Sequence, residues 1–214
     1  MMKSYNSIKT LLFLILISAL PLACNAQGDK NYKLIGGPCE GCEAVFEYGD
    51  KQLNPVDTLP GFESAKMKLQ ISGTVFENDE QTPAEDVILY FHHTNAGGIY
   101  PTIGNETGWA RRHGYIRGWI KTDNDGKYTI FTSKPGVYPS RTEPAHIHIT
   151  VLEPSGKYYW IDSILFSDDP LLDDANENSN KIRGGAENIL VLKEQNSLFI
   201  GERNVILGKN IPDY

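Results

Sequence analysis

Tyr115-Ile-Arg-Gly-Trp-Ile-Lys121, Thr-Asp-Asn-Asp-Gly126, Lys127-Tyr-Thr-Ile-Phe-Thr132 reads as two strands around one turn. Aromatic and β-branched residues fill both arms, as suits a pleated surface. Asp123-Asn-Asp-Gly126 supplies side-chain acceptors and a glycine for a tight reversal. Working outward, the same grammar repeats. Leu69 to Phe76 is β-rich and ends at Glu77-Asn-Asp. Asp86 to His93 is a buried-type strand that stops at Asn95-Ala-Gly-Gly98. Ala145 to Glu153 and Tyr158 to Phe166 form a pair split by Pro154-Ser-Gly156. Ile189–Leu192, Ser197–Ile200 and Asn204–Leu207 complete the series, and acidic, polar residues 167–188 read as a loop. No 3.6-residue apolar period runs long enough for a major helix. The expected fold class is therefore all-β, an antiparallel β-sandwich.

The 214 residues suit one domain or a domain with a tail. Acids outnumber bases 27 to 20, and Lys3 and Lys9 lie in the first segment, so the body is more acidic still. That balance argues against nucleic acid or an anionic membrane as partner. Residues 1–23 read as an export signal: a basic start, an apolar core from Thr10 to Ala19 too short to span a bilayer, then small residues. Cleavage before Cys24 would leave a lipid-anchored bacterial lipoprotein; cleavage after Ala26 would release the chain. Either way the expected location is outside the cytosol, in the periplasm or on a membrane. In that setting Asn105-Glu-Thr107 has no meaning as a glycosylation site. Residues 24–66 read as an irregular N-terminal arm wrapping the core, and 67–214 as the sandwich. Cys39-Glu-Gly-Cys42 lacks the second ligand pair of a structural zinc site and the βαβ context of a redox motif, so a small-loop disulfide is expected.

The chemistry-bearing stretch is Tyr138-Pro-Ser-Arg-Thr-Glu-Pro-Ala-His146-Ile-His148. Side chains two apart in a strand share a face, so His146 and His148 can reach one metal ion together. Pro144 fits a strand start, where no ladder donor is needed. A histidine in a strand is ordinarily just a hydrogen-bonding residue, yet two of the five in the chain share this spacing. Tyr138 would add a hard oxygen ligand, which suits a trivalent ion better than zinc, because only a strongly charged ion displaces a phenol proton. Tyr100, after Asn95-Ala-Gly-Gly-Ile, lies like Tyr138 on a loop at a strand end. Most of the eleven tyrosines must be packing residues. His92 and His93 point to opposite faces, so at most one can face a pocket. Tyr115 and Trp119 read as packing residues, and Arg111 and Arg112 as loop charges.

These pieces carry a resemblance. Asn95-Ala-Gly-Gly-Ile-Tyr100, Arg117-Gly118 with Thr122-Asp-Asn-Asp-Gly126-Lys-Tyr128, Pro135-Gly-Val-Tyr138-Pro139, Pro144-Ala-His146-Ile-His148 and Ile164-Leu-Phe-Ser-Asp168-Asp-Pro170 are similar, in order, to motifs of the intradiol ring-cleavage dioxygenases. That is the family of protocatechuate 3,4-dioxygenase and catechol 1,2-dioxygenase. The resemblance implies the family's prealbumin-like sandwich and a non-haem Fe(III) ion held by Tyr100 and His146 equatorially and Tyr138 and His148 axially. It implies a catechol-type substrate and O2, ring opening between the two hydroxyl-bearing carbons, and a muconate-type product. Tyr138 would leave the iron and take a substrate proton, while the metal serves as Lewis acid and template. The family's helical dimerisation region has no counterpart in the short arm, so the subunit count stays open.

One departure stands out. Glu143 occupies the place of a family Arg that stabilises charge on the substrate ring, and a carboxylate facing inward would do the opposite. Arg141, two residues earlier on the same face of an extended segment, is the candidate replacement. Two other readings stay open. Gly73-Thr-Val, Pro83–Val87 and Pro135–Tyr138 also resemble transthyretin-like and carboxypeptidase-regulatory sandwiches, which are non-catalytic surface modules. An iron-binding member without ring cleavage is the other, supported by Glu143. Fold alone separates none of these.

Overall fold

The computed structural model describes residues 31–172 and 181–214. Twelve strands lie among them: β1 (Lys33–Leu34), β2 (Val56–Thr58), β3 (Lys68–Phe76), β4 (Ile88–His92), β5 (Arg117–Lys121), β6 (Lys127–Ser133), β7 (Ile147–Leu152), β8 (Lys157–Phe166), β9 (Ile189–Leu190), β10 (Lys193–Gln195), β11 (Leu198–Glu202) and β12 (Val205–Ile206). One sheet runs β1-β8-β7-β4-β5 with β9 added on β8; the other runs β10-β11-β3-β6-β2 with β12 added on β3. The central ladders are antiparallel, as the hairpin grammar requires. The flanking pairings β1·β8, β2·β6, β8·β9, β11·β3 and β12·β3 are parallel. The chain therefore makes an all-β sandwich whose late and early strands return to edges already built.

Alternation sets the layers. Leu69, Ile71 and Val75 of β3, with Ile130 of β6 beside them, face Leu89 and Phe91 of β4 and Ile147, Ile149 and Val151 of β7 in one buried cluster. The continuous apolar run of β4 has a specific cause. Its second face is also covered, because Tyr90 packs with Trp119, Leu152, Ala44 and Val45. Ala44 and Val45 sit on a one-turn 3-10 helix, Cys42–Phe46, in the segment read as irregular. That segment also supplies β1 to one sheet and β2 to the other. The expected export signal and Cys24 lie outside the described residues; among these, no helix is long and apolar enough to cross a membrane.

Candidate metal centre and cleft

Strand ends from both sheets meet at one end of the sandwich. His148 lies on β7, opposite His92 of β4, and His146 stands just before β7. A register shift between Ile147 and Ile149 against β8 marks a bulge at this point. Tyr100 hangs on the loop after β4, and Tyr138 on the loop after β6. These loops lock backbone to backbone. Gly136 N–H donates to the Asn95 carbonyl at 2.9 Å, and Thr94 Oγ1 donates to the Gly136 carbonyl at 2.9 Å. Gly98 makes the approach possible. Its φ is 75°, and a Cβ there would sit 1.8 Å from the Val137 carbonyl oxygen.

The result is a cluster of four donor atoms. The Tyr100 and Tyr138 hydroxyls are 2.8 Å apart. The Tyr138 hydroxyl is 3.2 Å from His146 Nε2 and 3.5 Å from His148 Nε2. The two Nε2 atoms are 3.1 Å apart. His146 Nδ1 contacts the Pro144 carbonyl at 2.7 Å, and a carbonyl only accepts, so Nδ1 carries the proton and Nε2 offers its lone pair inward. His148 Nδ1 meets Ser163 Oγ at 3.3 Å. The backbone entering this corner is held by Asp169, whose carboxylate accepts the Ala145 N–H at 2.8 Å and the Leu171 N–H at 2.9 Å. Burial pushes both phenols up, and Tyr100 is raised further by its bond to Tyr138. Burial first, then the electrostatic influence of the neighbouring His146 ring, pulls His148 down to about 3. Tyr100, Tyr138 and His148 are thus held as neutral donors.

Among the described residues no three His, Cys, Asp or Glu side chains gather as a metal group; the cluster owes half its donors to phenols. Donor atoms each about 2.1 Å from one ion, at right-angled to tetrahedral spacing, stand roughly 3.0–3.4 Å apart. Two of the observed separations, 3.1 and 3.2 Å, fall in that range, and the other two, 2.8 and 3.5 Å, lie just outside it on either side. Hard phenolic oxygens beside imidazoles suit a high-valent iron ion better than a soft one.

A cleft of about 800 Å3 opens on Tyr100 and His148 and is lined also by His92, Trp109, His113 and Trp160. His92 is stacked between His113, 3.8 Å away, and His148, 4.5 Å away. Burial lowers His92 well below its usual range, so the stack is uncharged. His93 turns to the other face and is buried with Thr132 Oγ1 and the Thr94 carbonyl, each at 2.7 Å. Trp119 packs under the arm, away from the cleft. Trp109, His113 and Trp160 take no role from the sequence alone: Trp160 lies far along the chain from the Trp109–His113 pair, and the four-residue α1 is too short to show a helical period. Arg111 and Arg112, read as loop charges, line the cleft from the short helix α1 (Ala110–His113).

Arg141 needs a correction. Residues after Tyr138 turn rather than extend: Arg141 N–H donates to the Tyr138 carbonyl at 2.8 Å, and Arg141 has φ 52°. Strand alternation therefore does not apply, and Arg141 is exposed and not among the cleft-lining residues. Glu143 is exposed too, though its charge bears on both phenols.

Residues 46–207 match the profile of the family described as Dioxygenase. No protein of curated function matches in sequence. Among solved structures, the dioxygenase domain of a dioxygenase–carbohydrate-binding fusion from Streptomyces sp. SirexAA-E is 23% identical with TM-score 0.55, over 82% of this chain and 98% of that one. An intradiol ring-cleavage dioxygenase from Tetranychus urticae is 18% identical with TM-score 0.51, over 80% and 90%. Hydroxyquinol 1,2-dioxygenase from Pseudomonas putida DLL-E4 is 18% identical with TM-score 0.52, over 85% and 68%. With three quarters of its length inside that profile and a sandwich shared with these enzymes, the chain belongs to the intradiol ring-cleavage dioxygenase family.

Proposed function

We propose that the chain is an exported, non-haem Fe(III) dioxygenase that opens a catechol-type ring between its two hydroxyl-bearing carbons, both atoms of O2 entering a muconate-type diacid. The observation that carries this reading is the convergence of the Tyr100, Tyr138, His146 and His148 donor atoms at one corner, where Tyr100 and His148 open on the cleft. These four side chains would hold the iron, which when bound supplies the Lewis acidity that makes a chelated catechol ring reactive toward O2.

The residues have separable tasks. His146 is oriented by the Pro144 carbonyl and His148 by Ser163, so their lone pairs need no rearrangement. Tyr138 would be the group that accepts a catechol proton on its phenolic oxygen, the role the family resemblance implies for it. Tyr100 is anchored by the Asn95 turn. The His92–His113 stack lines the cleft beside Tyr100 and His148 without adding a competing charge. Glu143, in place of the family Arg, favours a second reading, iron binding without ring cleavage.

Iron-loaded protein should be red-brown from tyrosinate-to-iron charge transfer, and anaerobic catechol should shift the band. Admission of air should then consume one O2 per catechol. Colour without oxygen uptake, across a panel of catechols, would favour the second reading. Colourless protein after loading would favour a non-catalytic sandwich module.

A further inference from the structure

The cleft extends well beyond the donor corner, and part of its wall lies outside the family-matched region. Pro38, Cys39, Glu40 and Gly41 all line it, yet they precede residue 46, where the family match begins. This loop is a fixed structure. Cys39 and Cys42 are joined by a disulfide, and Glu40 pairs with Arg112 of α1. Gly41 presses directly on His113: with φ 88°, any Cβ there would lie 2.5 Å from His113 Nε2. The loop carbonyl of Pro38 accepts the Trp160 indole N–H at 3.3 Å. The Arg183 guanidinium covers that indole at 3.3 Å from its centre. Trp109, for its part, is pinned through its backbone N–H to Glu47 at 2.9 Å and stacks on His113.

Two indoles thus stand around one cleft; Arg112 is paired with Glu40, and the two other charged residues of the lining, Arg111 and Asp162, are opposite in sign. About 800 Å3 is the room a drug-sized ligand fills, far more than a single dihydroxylated ring needs. Preorganised aromatic faces favour flat apolar groups at little entropic cost.

We propose that the disulfide-pinned loop Pro38–Gly41, with Trp109 and Trp160, is a specificity wall. It selects uncharged catechols that carry a second aromatic ring over catechol itself. The inference rests on the ring-cleavage reading only in placing the two hydroxyls at the donor corner; selective binding by the wall stands apart from it.

The experiment compares catechol with 4-phenylcatechol on the full chain. On iron-free protein, 4-phenylcatechol should quench tryptophan emission with a Kd at least about tenfold lower, the effect expected of one added aromatic contact. On iron-loaded protein its kcat/KM should exceed that of catechol by a similar factor. Trp109→Ala, and separately the double change Cys39→Ser with Cys42→Ser, should bring both ratios toward one, with circular dichroism checking the fold. Should the serine variant fail to fold, Trp109→Ala carries the test. Equal Kd values for the two probes, or ratios unmoved by Trp109→Ala, would overturn the wall. Tight 4-phenylcatechol binding by a protein that takes up no coloured iron would uphold the wall and overturn the iron reading instead.

Discussion

The donor corner and the aromatic wall share one cleft but are built in opposite ways. The corner is assembled from strand ends: β7 alternation aligns His146 with His148, and a glycine contact brings the loops of Tyr100 and Tyr138 together. The wall is assembled from three segments distant in sequence, namely the arm, α1 and β8. They are tied by the Glu40–Arg112 pair, by Glu47's bond to the Trp109 N–H and by the Trp160 indole's bond to the Pro38 carbonyl. The difference teaches that chemistry here depends on local register within a stiff sandwich, whereas the cleft's shape depends on a few long-range tie points. Damage to the corner should abolish turnover; damage to the wall should loosen the structure and retune selectivity.

The largest effect should follow from breaking the corner. Tyr138→Phe or His146→Ala is expected to lower kcat by about 10²-fold or more and to weaken or erase the visible band, measured by oxygen uptake and absorption. The wall should be spared, so circular dichroism and Tm should barely change. The corner's scaffold is the next target. Gly98→Ala places a Cβ against the Val137 carbonyl at positive φ and should cost roughly 3 kcal/mol, read by urea unfolding.

A third test separates the buried interior from both regions. Burial lowers His93 to about 4 from 6.5. Between those values the unfolded chain binds a proton that the folded chain refuses, so stability rises with pH there. The His93 share of the stability of metal-free protein, taken as the difference from His93→Gln, should be full above about pH 6.5 and fall by on the order of 3 kcal/mol toward pH 4, on top of losses in the same direction from His92, His113 and His148, which burial also lowers. Unfolding free energies across that range check the slope. Glu47→Ala, which unties the wall, should cost about 2 kcal/mol in the same assay, since it leaves Arg117 and the Trp109 N–H without their partner. Arg141→Ala sharpens the comparison from the other side. Lying on a turn and not among the cleft-lining residues, it should change kcat/KM by less than about threefold.

The same contrast explains what could be read in the chain. Strands β3 to β8 were legible because each carries a full period-2 or buried run between turn residues. The donors were legible because alternation and loop position act over a few residues. β1, β2 and the 3-10 turn were not, since two to five residues hold no period and take their form from the sheet edges they join. Trp109 and Trp160 were invisible as a pair for the same reason. Arg141 was misplaced because an extended segment was assumed where Tyr138 to Arg141 closes a turn.

The central claim is that two phenolic oxygens and two imidazole nitrogens surround one ferric ion. X-ray absorption at the iron edge of the loaded full chain tests it most directly. The account predicts a mixed oxygen–nitrogen shell at about 2.1 Å, with the outer-shell scattering of two imidazole rings that falls to one ring in His146→Ala. A purely oxygen shell without imidazole scattering, unchanged in that variant, would contradict it.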